Sequence, residues 1–132
     1  MPIRYSISNP ITADQLIDVF RRSTLSERRP VEDRDCMEGM VQNASLTVTA
    51  WEGETLVGVA RSVTDFHYAC YLSDLAVDVA YQDLGVGTQL IGETQRALGP
   101  RCKVRLISAP AASTYYPKIG FIKNESCLRV CE

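Results

Sequence analysis

The period of apolar positions changes within one stretch of the chain, residues 72–98, which predicts a strand, a turn and a helix in succession. Leu72 to Val77 is a short apolar run typical of a strand. Gln82 to Gly87 contains two glycines and predicts a turn. From Thr88 to Leu98, apolar residues recur at three- and four-residue spacing, as on one side of a helix. That side is formed by Leu90, Ile91, Thr94 and Leu98.

The N-terminal third predicts a short strand and two helices. Residues 3–7 alternate in polarity as a strand does, and Pro10 ends the alternation. Thr12 and Gln15 have the spacing of a capping box, which marks the start of a helix. The apolar side of that helix is Leu16, Ile17, Val19 and Phe20. After a polar break, a second helix is predicted over residues 32–41. It is expected to bury Cys36, Met37, Met40 and Val41.

An antiparallel meander is predicted between the second helix and the glycine turn. Residues 46–51 alternate cleanly, which indicates a half-buried strand. Residues 52–54 form a tight hairpin turn, and residues 56–63 are the returning strand. A second turn at residues 65–68 leads into the strand that precedes the glycine turn.

The C-terminal third predicts a strand, a short helix and a final pair of strands. The helix after the glycine turn is expected to cross over to residues 104–107, a buried-looking strand parallel to the one before that turn. Pro110 suits the first turn of a short helix that contains the tyrosine pair at residues 115–116. Residues 121–122 and 128–130 are expected to pair as strands. The whole pattern predicts an α/β fold with a mixed, mostly antiparallel sheet flanked by helices.

Length and charge limit the classes of protein to which the chain can belong. Its 132 residues predict a single domain, residues 1–132. The formal net charge of −2 gives no basic footprint for nucleic acid. No apolar run reaches the roughly 20 residues of a membrane span, and the N-terminus lacks the pattern of a signal peptide. We therefore expect a cytoplasmic protein that binds neither nucleic acid nor a membrane.

The cysteines support the same interpretation. There are five, an odd number, and they are scattered without a C-x-x-C pair. This spacing disfavours both a zinc site and a disulfide framework. No metal is predicted, and the thiols are expected to be reduced. The five are Cys36, Cys70, Cys102, Cys127 and Cys131.

The glycine turn has the chemistry of an anion-binding site. A helix start leaves its first N–H groups without partners, and the helix dipole adds partial positive charge there. Glycine lets the backbone approach a ligand closely, so the turn suits a pyrophosphate. The Walker pattern is absent, and Leu90 stands where a dinucleotide fingerprint requires its third glycine.

Three sequence elements around this turn resemble one known family. The Q-x-x-G-x-G pattern at residues 82–87 matches the Q/R-x-x-G-x-G/A signature of the GNAT acetyltransferase superfamily. L-A-V-D at residues 75–78 resembles that family's fourth strand, and Y-Y-P-K-I-G-F at residues 115–121 resembles its later F-Y-x-K-x-G-F element. The elements follow in the family's order, the last about 30 residues after the signature. The resemblance covers residues 46–121 and implies a GNAT-like fold.

In that fold, the parallel strands around residues 72–77 and 104–107 splay apart, and the pantetheine arm of acetyl-coenzyme A (acetyl-CoA) lies between them. The resemblance implies that the main chain of Leu75 and Val77 bonds the pantetheine, as a strand edge bonds an added peptide. Main-chain N–H groups of the glycine turn would hold the pyrophosphate. The coenzyme-binding residues implied in this way are Leu75, Ala76, Val77, Gln82, Asp83, Leu84, Gly85, Val86, Gly87 and Thr88.

The resemblance also implies direct transfer of an acetyl group from acetyl-CoA to an amine of a small molecule or peptide. Tyr116 matches the family tyrosine that protonates the departing thiolate, and a tyrosine pKa near 10 keeps that proton in place at neutral pH. Tyr115 is expected to be a core residue. Asp65 and His67 lie in an upstream turn and are candidate bases, but a chain of water molecules is the expected proton route. Ala109 departs from the asparagine that the family often carries seven residues before its tyrosine.

The acceptor pocket is predicted from four residues. Arg28 and Arg29 lie between the first two helices, which form one wall of the pocket in the family. They would meet an acidic group on the acceptor, or else belong to a solvated loop. Strict alternation places Tyr71 and Ser73 on the strand face assigned to the coenzyme, and Asp74 on the opposite face, where a structural role is expected.

Two other functions stay open from the sequence. One is a sensor or complex subunit that binds coenzyme A without turnover, since no residue is an obvious base. The other is a structural domain that binds no coenzyme, which requires the glycine turn to be occluded. The identity of the acceptor amine is not determined. A homodimer is compatible with the sequence, because dimers are common in the family.

Overall fold

The computed structural model describes residues 2–130. The strands are β1 (Arg4–Ser6), β2 (Leu46–Glu52), β3 (Thr55–Thr64), β4 (Ala69–Val77) and β5 (Lys103–Arg105). The helices are α1 (Ala13–Ser23), α2 (Arg34–Asn43), α3 (Val86–Ala97) and α4 (Tyr115–Lys118). The strands lie in one sheet in chain order. Neighbouring strands are antiparallel except β4 and β5, which are parallel. The predicted α/β fold with a mixed, mostly antiparallel sheet is confirmed.

Apolar cores lie on both faces of the sheet. Helices α1 and α2 cover one face, hereafter the α1 face. Its buried residues include Leu16, Val19, Phe20, Met37, Trp51, Val59 and Ala76. Helix α3 covers the opposite face, hereafter the α3 face, and the predicted apolar side of this helix is buried there. The buried residues of the α3 face include Val48, Ala60, Cys70, Leu72, Leu90 and Ile91.

Because helices cover both faces, β2 is buried along nearly its whole length. The prediction of a half-buried strand is therefore wrong. Thr49 has no exposed surface, and its hydroxyl accepts a hydrogen bond from Trp51 Nε1 at 2.8 Å. The alternation in the sequence reflects polar side chains that form buried hydrogen bonds, as buried polar groups generally do.

Helix α1 begins at the predicted capping box. Thr12 Oγ1 accepts the Gln15 N–H at 3.1 Å, and Gln15 Oε1 accepts the Thr12 N–H at 2.8 Å. Near the other end of the helix, the Arg22 guanidinium donates to Asp78 and to the Leu56 carbonyl. These contacts fix α1 against the sheet and the segment that follows β4.

Helix α2 buries fewer residues than predicted. Met37 has no exposed surface, and Met40 and Val41 are half-buried. Cys36 is exposed, so its predicted burial is wrong. Successive residues of a helix point about 100° apart, and Met37 is the one that faces the core.

The chain beyond β5 contains no further strand among residues 106–130. A 3₁₀ turn (Pro110–Ala112) and α4 replace the single short helix predicted there. The predicted strand pair at residues 121–122 and 128–130 is wrong, since these residues are irregular and flank a turn in which the Cys127 N–H donates to the Asn124 carbonyl. Apolar side chains that such a pair would cover are 87–93% exposed; they are Ile122, Leu128 and Val130.

Two further findings concern the described residues alone. None of their helices is long and apolar enough to cross a membrane. They contain no group of three or more side chains suited to holding a metal ion. The predicted thiol of Cys131 lies outside the described residues.

Candidate active site

Strands β4 and β5 lie side by side only where they begin. Residues 69–71 pair with residues 103–105, and β5 then ends, whereas β4 continues to Val77. β5 is therefore shorter than the predicted strand at residues 104–107. Within residues 2–130, no strand pairs with the remaining edge of β4 on this side. The predicted parting of the parallel strands is present, so the edge of β4 beyond Tyr71 has no strand partner among the described residues; this unpaired edge is hereafter called the opening.

A β-bulge interrupts β4 at the start of this opening. Arg61 of β3 pairs with Asp74, but the next residue, Ser62, pairs with Leu72, so Ser73 has no partner on β3. One extra residue in a strand moves all later side chains to the other face of the sheet.

The bulge separates the coenzyme candidates from the acceptor candidates. Leu75 and Val77 pack against the core of the α3 face. Cys70 lies in that same core, so its neighbour Tyr71 lies on the α1 face. The prediction that Tyr71 shares a face with Leu75 and Val77 is wrong, because it assumed unbroken alternation. Asp74 lies on the α1 face with Tyr71.

The turn between β4 and α3 has the backbone of an anion cradle. Asp83 and Gly85 adopt positive φ angles of 65° and 80°, and α3 begins at Val86, two residues earlier than predicted. No side chain caps this helix, and its first turn contains no acidic residue. Its N-terminus therefore combines unpaired N–H groups with the positive end of the helix dipole, which suits a phosphate group.

Tyr115 lies over this cradle. The prediction that it is a core residue is wrong. Its hydroxyl lies 3.1 Å from Thr88 Oγ1. A Cβ atom built on Gly87 would lie 2.8 Å from the same hydroxyl, closer than side chains tolerate. A side chain at position 87 would therefore displace the Tyr115 hydroxyl, which places Tyr115 next to the cradle.

Gln82 holds the turn against the end of β4. Its side-chain Nε2 donates to the Val77 carbonyl at 3.1 Å, and its main-chain N–H donates to the Val79 carbonyl at 3.5 Å. Both groups are thus directed to the protein. Gln82 therefore ties the turn to the end of β4 and to Val79.

Tyr116 lies on the α3 face near the opening. Its ring packs edge-on against Tyr115 and Phe121, with centroids 5.1 and 5.5 Å apart. Burial raises the pKa of Tyr116 above its ordinary value of 10.0, with a further rise from the charge of Tyr115, while the Arg29 guanidinium acts in the opposite direction. Tyr116 therefore keeps its proton at neutral pH.

Arg29 and Arg61 share one buried carboxylate on the α1 face. Asp74 has no exposed side-chain surface, and its two oxygens accept hydrogen bonds from Arg29 and Arg61, respectively. Arg29 also donates to the Ser73 carbonyl at 2.8 Å, and Arg61 donates to the Ser73 hydroxyl at 3.0 Å. The cluster fixes the connection between α1 and α2 against the bulge. It brings two acceptor candidates, Arg29 and Ser73, together, whereas Arg28 is exposed.

We expect Asp74→Ala to lower the free energy of unfolding by about 3–5 kcal/mol, because it leaves two guanidinium groups without their buried counter-ion. Urea unfolding of the purified variant measures this loss. The control is Glu32→Ala, which breaks the ion pair with Arg21 between side chains that are 90% and 54% exposed. That variant should lose less than about 1 kcal/mol. Equal, small losses in both variants would contradict a stabilising role for the cluster.

The candidate bases Asp65 and His67 lie at the wrong end of β4 to reach the opening. Their turn precedes Ala69, the first residue of β4, and packs on the loop after α3, where the Gly99 N–H donates to the Phe66 carbonyl at 3.0 Å. Three main-chain N–H groups hold the pKa of Asp65 at about 2. Asp65 thus orders its own turn.

Comparison with family models assigns the chain to a family. The model of the acetyltransferase (GNAT) domain matches residues 13–129 of the chain. The chain belongs to the GNAT acetyltransferase family. A search of curated proteins found no match for this GNAT protein.

Solved structures share the GNAT fold with this protein at low sequence identity. A GNAT-family acetyltransferase from Streptococcus pneumoniae is 18% identical, with a TM-score of 0.80 and 99% and 97% of the two chains covered. The PaiA N-acetyltransferase of Thermoplasma acidophilum, in complex with coenzyme A, is 16% identical, with a TM-score of 0.72 and coverage of 96% and 94%. An aminoglycoside acetyltransferase from an uncultured soil sample, in complex with sisomicin, is 17% identical, with a TM-score of 0.68 and coverage of 98% and 95%.

Members of this family share a cosubstrate, whose chemistry can be compared with the cradle. GNAT acetyltransferases are acyltransferases that use acetyl-CoA as cosubstrate. The cradle of this GNAT protein fits the pyrophosphate of that cosubstrate, because its helix N-terminus is uncapped by side chains and free of acidic residues.

Proposed function

We propose that residues 1–132 act as one N-acetyltransferase domain, which moves the acetyl group of acetyl-CoA directly to an amine of a small molecule or peptide. One observation carries this proposal. The unpaired edge of β4 runs along an opening that ends at an uncapped, glycine-led helix N-terminus. A strand edge followed by an anion cradle matches acetyl-CoA, in which an extended pantetheine arm is joined to a pyrophosphate.

The coenzyme is held mainly by main-chain groups. The edge of β4 from Leu75 to Val77 bonds the pantetheine and thioester end. The outward N–H groups at the start of α3, led by Gly85, bond the pyrophosphate, and the Tyr115 hydroxyl closes one side of this cradle. Leu84, which is 69% exposed at the tip of the turn, covers the coenzyme from outside.

Tyr116 acts as the general acid. The nitrogen of the acceptor amine attacks the thioester carbonyl carbon, the carbon–sulfur bond breaks, and the departing sulfur takes the phenolic proton. Burial keeps Tyr116 protonated for this step. Water removes the proton from the amine, because Asp74 is buried with both oxygens bonded to arginine and His67 is remote from the opening.

The acceptor approaches from the α1 face. Tyr71 lies on this face, Arg29 donates to the Ser73 carbonyl, and the exposed Arg28 adjoins Arg29, so these residues are proposed to contact the acceptor. The coenzyme thus contacts the α3 face of the sheet, and the acceptor amine reaches the thioester from the α1 face. Direct transfer requires both reactants to be bound at the same time, since no enzyme-bound intermediate carries the acetyl group between them.

Cellular location and assembly are secondary parts of the proposal. Scattered free thiols support a cytoplasmic protein; those described are Cys36, Cys70, Cys102 and Cys127. A homodimer would cover apolar side chains that the described chain leaves exposed, namely Ile122, Leu128 and Val130.

The proposal is tested by measuring coenzyme A release from acetyl-CoA in the presence of a broad amine panel, including aminoglycosides. Amine-dependent release supports an N-acetyltransferase. The second candidate is a coenzyme A-binding sensor without turnover, which is favoured by the lack of a positioned base among the described residues. It predicts calorimetric binding of acetyl-CoA but no release with any amine. Absence of both binding and release would overturn both functions.

A further inference from the structure

The α1 face of the opening carries more positive than negative charge. Arg29 and Arg61 share a single carboxylate, Asp74, so this cluster has one uncompensated positive charge. Arg105 adds another. It is the last residue of β5 and pairs with Tyr71, so it lies on the same face at the point where the strands part. Arg105 is exposed and forms no ion pair within residues 2–130.

Arg29 has donor groups left for a ligand. Its Nε donates to Asp74, one Nη to the Ser73 carbonyl and the other Nη to the Arg28 carbonyl. A guanidinium has five N–H groups, and these contacts with described residues use three. The side chain is 22% exposed, so the remaining N–H groups can reach a molecule in the opening while Asp74 fixes the position of the guanidinium.

We infer that the acceptor amine also carries an anionic group, a carboxylate or a phosphate, which is bound by Arg105 and Arg29 on the α1 face. This inference rests on the proposed function for the location of the acceptor. The two arginines lie on either side of the residue at which β4 and β5 part, since Arg105 pairs with Tyr71 and Arg29 donates to the Ser73 carbonyl. An anion held between them places an amine at the other end of a small molecule near the thioester. Guanidinium groups bind both carboxylate and phosphate through paired hydrogen bonds.

The same charges disfavour purely cationic acceptors. A polyamine on this face would meet Arg29, Arg61 and Arg105, while the carboxylate of Asp74 is buried and already paired. Like charges brought together at a partly buried site reduce binding. Spermidine is therefore expected to bind much more weakly than an anionic amine of similar length.

The test is calorimetric binding of matched amine pairs to the protein saturated with coenzyme A. The carboxylate arm compares the standard L-amino acids with their C-terminal amides, and the phosphate arm compares O-phosphoethanolamine with ethanolamine. We expect the anionic member of at least one pair to bind about 10-fold or more tightly, and Arg105→Gln to remove that preference. Arg101→Gln, which changes the same charge in the loop before β5, should keep it. The arm that shows the preference identifies the anion.

Equal affinity of anionic and neutral partners, no binding of any anionic amine, or a preference that survives in Arg105→Gln would overturn the inference. Turnover is measured separately on the same compounds. Amine turnover without anion preference would uphold the proposed function and refute the anionic acceptor. Anion preference without turnover of any compound would refute the transferase and uphold the anion site.

Discussion

Gly87→Glu is expected to weaken acetyl-CoA binding by about 100-fold or more. The new carboxylate would lie in the first turn of α3, where the pyrophosphate is proposed to bind, and would repel it. Its Cβ would also meet the Tyr115 hydroxyl at 2.8 Å, so Tyr115 would have to move away from the cradle. A loss of several charge-assisted hydrogen bonds is consistent with this magnitude. Calorimetric titration of both proteins with acetyl-CoA measures it.

Gly92→Glu is the matched control, because it introduces the same side chain in the same helix, away from the cradle. A Cβ at Gly92 has the Arg96 guanidinium as its nearest neighbour, at 3.7 Å, so a glutamate there gains a partner. This variant should bind acetyl-CoA as the wild type does. Near-equal affinity of the wild type and Gly87→Glu would place the pyrophosphate elsewhere. Equal weakening in both glutamate variants would indicate a general charge effect on α3.

The sequence predicted the elements that depend on local signals. The capping box at Thr12 and Gln15 and the apolar side of α3 appear in the structure as expected. The glycine turn also formed as predicted, because the positive φ angle at Gly85 is one that glycine adopts readily. The order and direction of β4 and β5 followed from the strand–helix–strand connection between them.

The faces of β4 could not be predicted, because they depend on pairing with β3. A bulge adds one residue to one strand, and its position is set by how Arg61 and Ser62 pair with Asp74 and Leu72. No periodicity within β4 marks Ser73 as the unpaired residue. Relative to unbroken alternation counted back from Val77, the side chains before the bulge lie on the opposite face. Alternation therefore assigns Tyr71 to the wrong side of the sheet.

Long-range contacts account for the other residues that sequence analysis missed. Tyr115 was assigned to the core, but its position over Gly87 arises from how α4 returns to the start of α3. Arg29 is a predicted acceptor residue, but its bond to the buried carboxylate of Asp74, 45 residues along the chain, could not be predicted. Such partners are brought together only by the fold.

Tyr116→Phe is expected to lower kcat by about 100- to 10,000-fold, the usual contribution of a general acid. The KM for acetyl-CoA should change little, since the cradle and the β4 edge are untouched. The phenylalanine ring keeps the edge-on packing against Tyr115 and Phe121, so the unfolding temperature should also stay close to that of the wild type. Steady-state kinetics with a turned-over amine separates the two parameters.

The pH dependence gives a second, independent readout of Tyr116. Its acid form is the functional one, and burial raises its pKa, so the wild-type rate should not fall through loss of this proton until the pH exceeds about 10. Below that pH, the profiles of wild type and Tyr116→Phe should run parallel. Tyr115→Phe is the control, because it removes the hydroxyl beside Thr88 and should raise KM for acetyl-CoA more than it lowers kcat. If Tyr116→Phe keeps full kcat, the departing thiolate takes its proton from another group, and water is then the remaining donor at the opening.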